Sequence, residues 1–518
     1  MVAAPPSAVG VLPQFLLPNL TAILTVATLA FCLFVFGAAQ QLFRDSDSGW
    51  HIRNGEWILS HHTLPQADPF SFSKAGEPWI AWEWGSDVLT AVAHRFDGLK
   101  GVATLFTLLI GACTWLCCRL HFAAGGDFFL TALLMPPILT TASLHWLARP
   151  HIFGWIFLLL AILYAEHVAA GKGTTRYKTW HLAAVAALTA AWANLHGSFF
   201  LAPLIALIYT AAHLGRAALW QVDRAQEIRQ ALRFTWVALA ALTGSLLNPY
   251  GWRLHAHVLA YLRNDELTSR IAEFQSFNFH QPGAALIAIA VFLAMFGAIL
   301  ALAQKKLAHF LLAALFVWGG LHYARMLPLL ALAILPLMNG TFVEALWGVR
   351  DLRPVLRKRL DQALRYSERL RIFDRQLNGA IFTAICALLL CAALHGPALS
   401  NEIGFPSASF PVAAVTAIDK LPSAARIVAP DSYGGYLIYR FAGVRKVYID
   451  GRSDFYGVDF LKQYAALISV RPGWRQTVRS LGFTHALLPN DAPLLAALDQ
   501  AGWRVLFHDN VATLLEAR

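Results

Sequence analysis

Residues 43–62 read FRDSDSGWHIRNGEWILSHH and follow directly on a long apolar run. An ordinary loop would be expected to carry Ser, Gly and Lys at such a place. This one sets Asp45, Asp47, His51, Arg53 and Glu56 among tryptophans. The fold turns on whether the run before it crosses a membrane and leaves this polar cluster at the membrane's edge.

Composition favours that view. The chain has 518 residues, 57% hydrophobic and 14% charged, whereas soluble domains carry roughly 25% charged residues. Hydropathy this high over such a length implies many membrane spans rather than one large soluble core. The formal net charge is +11, but the basic residues cluster in a few loops between apolar runs. Membrane orientation therefore accounts for them. No basic patch with interleaved aromatics points to nucleic acid. Cys32, Cys113, Cys117, Cys118, Cys386 and Cys391 all lie in predicted spans, where they make neither a disulfide framework nor a spaced zinc site. The N-terminus lacks a basic leader region, and its apolar run is too long for a signal peptide, so it reads as a retained first span.

About eleven spans are predicted, at residues 14–38, 101–120, 128–147, 151–169, 181–197, 199–215, 234–248, 283–303, 307–323, 326–343 and 379–396. Pro136 and Pro137 are expected to kink the third. Alternate loops are basic: Lys172, Arg176 and Lys178, then Arg216, Arg224, Arg229 and Arg233, then Lys305 and Lys306, then the stretch from Arg350 to Arg375. By the positive-inside rule these are cytoplasmic. The opening stretch, LARPH (147–151), NLHGS (194–198), LNPYGWRLHAH (247–257), IAEFQSFNFH (271–280) and HYAR (322–325) then lie outside, as does the tail. Residues 1–396 form a polytopic transmembrane helix bundle, mainly α, with a large first outer loop at 39–100. The tail, 397–518, alternates strand-like ARIVAP, KVYID, HALLP and WRVLFHD with helical stretches, which suggests a small extracytoplasmic α/β domain. The Gly pair in DSYGGYLIYRF reads as a turn.

Ionisable groups at membrane depth are costly and mark candidate sites. Arg149, His151, Asn194, His196, Asn248, Arg253, Glu273, His322 and Arg325 all fall at outer span ends. Singly, each is as well explained as an interfacial anchor; together they can converge on one cavity. From Ser48 the opening stretch looks helical, with Trp50, Trp57 and Ile58 on one stripe, as for a helix lying in the interface plane. Asp47 at its start either caps that helix or serves as a general base. Asp45 and Asp47 spell Asp-x-Asp, which would bind Mg²⁺ or Mn²⁺ only if both side chains faced one way. Glu83, opening a second helix in WEWGSDVL, is either a second acid of the site or a solvated rim residue. His255, His257, His280 and His322 have no spacing that fixes a metal site.

A first span, a large outer loop opening with acidic residues, and paired interfacial helices resemble the GT-C class of integral membrane glycosyltransferases. That class includes protein O-mannosyltransferases, aminoarabinose transferases and the catalytic subunit of oligosaccharyltransferase. DSDSGWHIRNGEWILSHHTLPQADPFSF, WEWGSDVL, WANLHGSFF, LNPYGWRL, IAEFQSFNF, HYARMLPLLALA and YIDGRSDFYG are similar to a bacterial branch of that class. The resemblance implies a catalytic acid at Asp47, with Asp45 second; Glu83 stays a candidate acid on its own reading. The resemblance also implies a sugar donor on a polyprenyl-phosphate-type lipid held in the bilayer, and inverting transfer. Arg149, Arg253 and Arg325 would hold the donor phosphate, and His51, Arg53, His151, Asn194, His196, Asn248, Tyr250, Glu273 and His322 would line the substrate. No metal or other cofactor is expected. The partners implied are the lipid-linked donor, membrane lipids and an acceptor glycan, lipid or protein, in the bacterial inner membrane. The tail lacks the Trp-Trp-Asp-Tyr-Gly motif of oligosaccharyltransferase, and its Asp450, Arg452 and Asp454 have no role readable from sequence. A transporter, a lipid flippase and a non-catalytic assembly protein are the competing functions; no internal repeat of the kind many transporters carry is found.

Overall fold

The computed structural model describes residues 16–37, 40–171, 179–396 and 403–518. Lys172, Arg176 and Lys178 lie outside the described residues. Every predicted span falls on a helix. These helices are α1 (Leu20–Ala30), which runs on into a π-helical turn at Phe31–Val35, and then, past α2 (Asp47–His61) of the first long loop, α3 (Trp84–Ala123), α4 (Phe128–Ser143), α5 (His151–Ala169), α6 (Thr179–Leu195), α7 (Leu201–Leu219) and α8 (Arg224–Ser245). After the short α9 (Trp252–Leu262) come α10 (Ala284–Ala303), α11 (Leu307–His322), α12 (Leu335–Gly348), the basic α13 (Pro354–Asp374) and α14 (Ala380–His395). Among the described residues, five helical segments are long and apolar enough to cross a membrane: α3, Gly197–Leu219, α5, α10 and Ala324–Gly348. Leu20–Val35, α4, α11 and α14 are apolar but shorter. Helix α4 runs through Pro136 and Pro137.

Arg216, at the end of α7, reaches the Lys305 carbonyl beyond α10, and Arg371 of α13 reaches the Phe122 carbonyl at the end of α3. The same side holds the pairs His213–Glu227 and His309–Glu166. Helix α3 is broken at Asp97 and Gly98, where the backbone leaves helical geometry. The break separates a loop helix, 84–96, from the apolar piece predicted to begin at 101.

Helix α2 does not lie on a surface. It is sandwiched between the first part of α3 and α15 (Asp431–Arg440) of the tail. Ser48, Trp50, His51, Ile52 and Asn54 are all buried, so the first two turns of the helix are covered on most sides, and exposure begins at Ser60 and His61. Glycine makes this possible. A Cβ on Gly55 would sit 2.0 Å from the Asp87 carbonyl oxygen, and one on Gly49 would sit 2.2 Å from that of Gly435. The tail's Gly434–Gly435 pair is accordingly not a turn. It lies within α15, where Gly435 faces the Ser46 carbonyl and Gly434 that of Ile449.

The tail is α/β as expected. Strands β1 (Ile427–Val428), β2 (His485–Pro489), β3 (Arg504–His508) and β4 (Ala512–Glu516) make a sheet in the order β1-β2-β4-β3, with β1 parallel to β2 and the rest antiparallel. Helices α16 (Ser453–Ile468), α17 (Trp474–Ser480) and α18 (Pro493–Gln500) pack with it. KVYID forms no regular strand. Val447 makes a single bridge to Ser71 of the first long loop, with Phe72 donating to the Val447 carbonyl and Val447 to that of Phe70. The loop and the tail are thus stitched together, and the tail sits directly over the start of α2.

Candidate active site

Arg149 lies between α4 and α5, just before the Pro150 that opens α5. Its guanidinium collects three carboxylates. Nη1 is 2.7 Å from Asp45 Oδ2 and 2.7 Å from Glu273 Oε1, and Nη2 is 3.1 Å from Asp47 Oδ2. Asp45 also accepts the backbone N–H of Asp47 at 2.9 Å. The N-cap of α2 is therefore not the Asp47 side chain: Asp47 is the first helical residue and Ser46 precedes it without a side-chain cap bond. Both aspartates turn toward one cation, which answers whether they face the same way.

Asp47 is 7% exposed and is closed from above by the tail. A Cβ built on Gly451 would lie 1.9 Å from Asp47 Oδ1. Burial, and then repulsion from Asp45, push the Asp47 carboxyl up to about 8, because the one charge of Arg149 is shared with two other acids. Glu273 goes the other way. Burial alone would raise it, but Arg149 and Arg325 together hold it below the carboxylate range. Glu83 precedes α3 and is mostly buried rather than a solvated rim residue. Desolvation, then Asp87, raise its carboxyl to about 8, against the pull of Arg149 and Arg325. Its nearest basic neighbour is His196 Nε2 at 3.5 Å. Burial keeps His196 neutral, pushed down to about 3, and its Nδ1 bonds to Ser198 Oγ at 2.7 Å.

His51 stands one turn into α2, where Nδ1 is 2.6 Å from Asp87 Oδ1, while Asn54 donates to Asp87 Oδ2 at 2.6 Å. Burial and the nearby Arg149 hold the imidazole well below its ordinary value, so it is neutral. Arg325 packs 4.7 Å over the Phe274 ring and has no ion-pair partner among the described residues. It stands close enough to act electrostatically on Glu83, Glu273 and His196.

The remaining candidates are braces or lie elsewhere. Asn194 accepts from Trp84 Nε1, Asn248 folds back on its own turn, and the Tyr250 hydroxyl accepts the Ala81 N–H. Arg53 holds Glu56 and the Tyr439 carbonyl of the tail. His151 bonds the His145 carbonyl. Arg253 and His322 are exposed. The four histidines are not gathered: His255 bonds Ser245, His257 bonds Asp454 at 3.0 Å, and His280 and His322 are exposed.

The sequence matches no family model and no curated protein. Solved structures do match. The oligosaccharyltransferase of Archaeoglobus fulgidus in its apo form aligns with 90% of this chain and 69% of its own, at 11% identity and a TM-score of 0.56. The same enzyme, AglB, in complex with an inhibitory peptide and a dolichol-phosphate, aligns over the same shares at 10% identity and a TM-score of 0.58. Its complex with zinc and sulfate covers 90% of this chain and 68% of that one, at 11% identity and 0.53. The chain shares the fold of this archaeal oligosaccharyltransferase.

Within this fold several site residues escaped the sequence. Asp87 was visible as an acid one turn past Glu83, but not as the partner of His51 and Asn54. Asp454 faces His257 of α9, and Gly451 touches Asp47, so the DGRSDFYG segment belongs to the site's wall. Its signal was a charged, glycine-containing run in an otherwise ordinary small domain.

Proposed function

We infer that the protein is a membrane glycosyltransferase that moves a sugar from a polyprenyl-phosphate-type lipid to an acceptor on the extracytoplasmic face of the bacterial inner membrane. The bundle crosses that membrane about eleven times, with residues 1–396 in the bundle and 397–518 outside. The setting of Asp47 carries the assignment: a carboxylate just past the first span, fixed between Arg149 and Gly451 at the polar end of an apolar bundle with the GT-C fold. Asp47 takes the proton of an acceptor hydroxyl or amine as that group attacks the anomeric carbon. The bond from that carbon to the phosphate oxygen breaks, lipid phosphate leaves with the electron pair, and configuration inverts. Arg325, the unpaired cation beside the acids, holds the departing phosphate better than Arg149, which three carboxylates occupy, or the exposed Arg253.

The bilayer side fits a lipid donor. An apolar cavity of about 450 Å³ lies between α5, α6, α7 and α8, lined by Phe157, Leu160, Leu188, Trp192 and Phe234 among others. At its polar end the Trp192 indole donates to Ser198, which bonds His196 beside Glu83. An isoprenoid tail in that slot would bring its phosphate toward the acids. Dolichol-phosphate, the lipid bound by the archaeal neighbour, has this chemistry.

The test is conversion of a polyprenyl-phosphate sugar by protein in lipid nanodiscs, followed against pH. Asp47 must be charged to accept a proton, so kcat/KM is expected to rise toward about 8, where its carboxyl titrates. Glu83, if it works as the protonated partner, gives a fall above about 8. The two limbs are macroscopic and belong to the coupled acids together. Glu83→Gln should remove the alkaline fall and keep the acid limb. A profile unchanged in that variant would take Glu83 out of the reaction.

The tail's part is tested at Gly451. Gly451→Ala drives a methyl into Asp47 Oδ1, and a misplacement near 1 Å costs on the order of 100-fold in rate, while overpacking costs about 1–3 kcal/mol. Turnover is expected to fall by about that factor with the protein still folded at assay temperature. Full turnover would mean that the tail does not fix the base.

A further inference from the structure

Three carboxylates, two from the segment that opens α2 and one from the turn at 273, repel one another and are held together by a cation between them. Oxygen-rich clusters of this kind ordinarily hold Mg²⁺, Mn²⁺ or Ca²⁺, with oxygens at about 2.0–2.6 Å from the ion. Here the centre is filled by a side chain of the same protein. Arg149 Nη1 bridges Asp45 and Glu273 at 2.7 Å each, and Nη2 reaches Asp47 at 3.1 Å. A planar fork of N–H donors suits such bonds, and it cannot be deprotonated in a protein. Among the described residues no group of three or more His, Cys, Asp or Glu side chains is set to hold a metal ion. The guanidinium holds these oxygens apart on its own edges.

We propose that Arg149 is a built-in substitute for a divalent metal: it gathers Asp45, Asp47 and Glu273 as an ion would, excludes the ion from the site, and masks a divalent-cation site that its removal would uncover. The difference in charge has a consequence. One positive charge among three acids leaves a formal excess of two negatives where a divalent ion would leave one.

The inference stands on the charge cluster and not on glycosyl transfer, so its test needs no substrate. Full-length protein in nanodiscs is titrated with Mn²⁺ by electron paramagnetic resonance, and its thermal unfolding is followed with Mn²⁺ and with EDTA. Wild type is expected to bind no stoichiometric Mn²⁺ and to unfold at the same temperature in both. Arg149→Ala should unfold earlier, bind one Mn²⁺, and recover stability with it. Arg149→Ala combined with Glu273→Gln should bind Mn²⁺ on the order of 100-fold more weakly, having lost a charged ligand. Arg149→Lys, which keeps a cation, should stay metal-free. Wild type that binds one Mn²⁺, lost on Glu273→Gln, would overturn the proposal. So would folded Arg149→Ala that neither binds the ion nor is stabilised by it. If Arg149→Ala does not fold even with Mn²⁺ present during expression, the masked site is refuted.

Discussion

Asp47→Asn is expected to lower turnover of a lipid-linked sugar by about 10²–10⁴-fold, the usual loss on removing a general base. Asparagine has nearly the size of aspartate and still offers Arg149 an oxygen. It also leaves the start of α2 unharmed, because the cap position belongs to Ser46 and no side-chain cap bond is lost. The replaced group is buried and raised toward about 8, so the protonated wild type and the asparagine variant present similar neutral surfaces to Gly451. Thermal unfolding of the two should differ little, and a purely capping Asp47 would instead cost about 1 kcal/mol with activity intact. Asn-variant turnover equal to wild type, measured as lipid phosphate released per minute, would remove Asp47 from the chemistry.

Arg452→Met should have the largest effect on stability. Arg452 is 2% exposed. Its Nη2 lies 2.7 Å from Asp450 Oδ2 and 2.8 Å from Asp68 Oδ1, and its Nε donates to Asp450 Oδ1 at 2.8 Å. Trp79, Phe455, Phe70 and Trp50 surround the guanidinium, with centroids at 4.6, 5.0, 5.4 and 5.9 Å. Asp68 belongs to the first long loop and Asp450 to the tail, so this one cation pins the two together. Methionine fills the same space but strands two buried carboxylates, at a cost of about 3–5 kcal/mol. The variant should expose the tail to limited proteolysis at protease levels that leave wild type whole. Combining Arg452→Met with Asp68→Asn should cost less than the two single changes added, because the stranded charge is then halved. Strict additivity would show that the pair is not coupled.

Much of this was legible in the sequence. Apolar runs fell on helices because twenty-odd apolar residues leave few other choices. Asp47, Arg149, Glu273 and Arg325 could be named because each interrupts or ends such a run with a charge. Which charge meets which could not be read. Arg149 looked like a phosphate grip, and only the approach of α2 and the 273 turn shows it to be already bound to three acids. The Trp50–Ile58 stripe suggested a helix on the membrane surface, since periodicity reports one apolar face and is silent about glycines that open the other to a neighbour. Gly434 and Gly435 looked like a turn for the same reason. A glycine pair signals either backbone freedom or close approach, and here the partner, Ser46, lies far away in the chain. Gly451 and Asp454 stayed without a role because the tail's docking on the first loop is a long-range contact with no local pattern. Strand β4 passed unread in VATLLEA, which has the look of helix as much as of strand.

The most direct measurement follows the fate of the lipid. Protein reconstituted in vesicles is given a polyprenyl-phosphate sugar labelled in the sugar, together with membrane glycan, lipid and protein fractions as acceptors, and the products are resolved by mass spectrometry. A GT-C transferase of the kind proposed releases polyprenyl phosphate in step with sugar appearing on one acceptor class, with the anomeric configuration inverted. Recovery of the lipid-linked sugar intact with every acceptor, on either face of the vesicle, would contradict it.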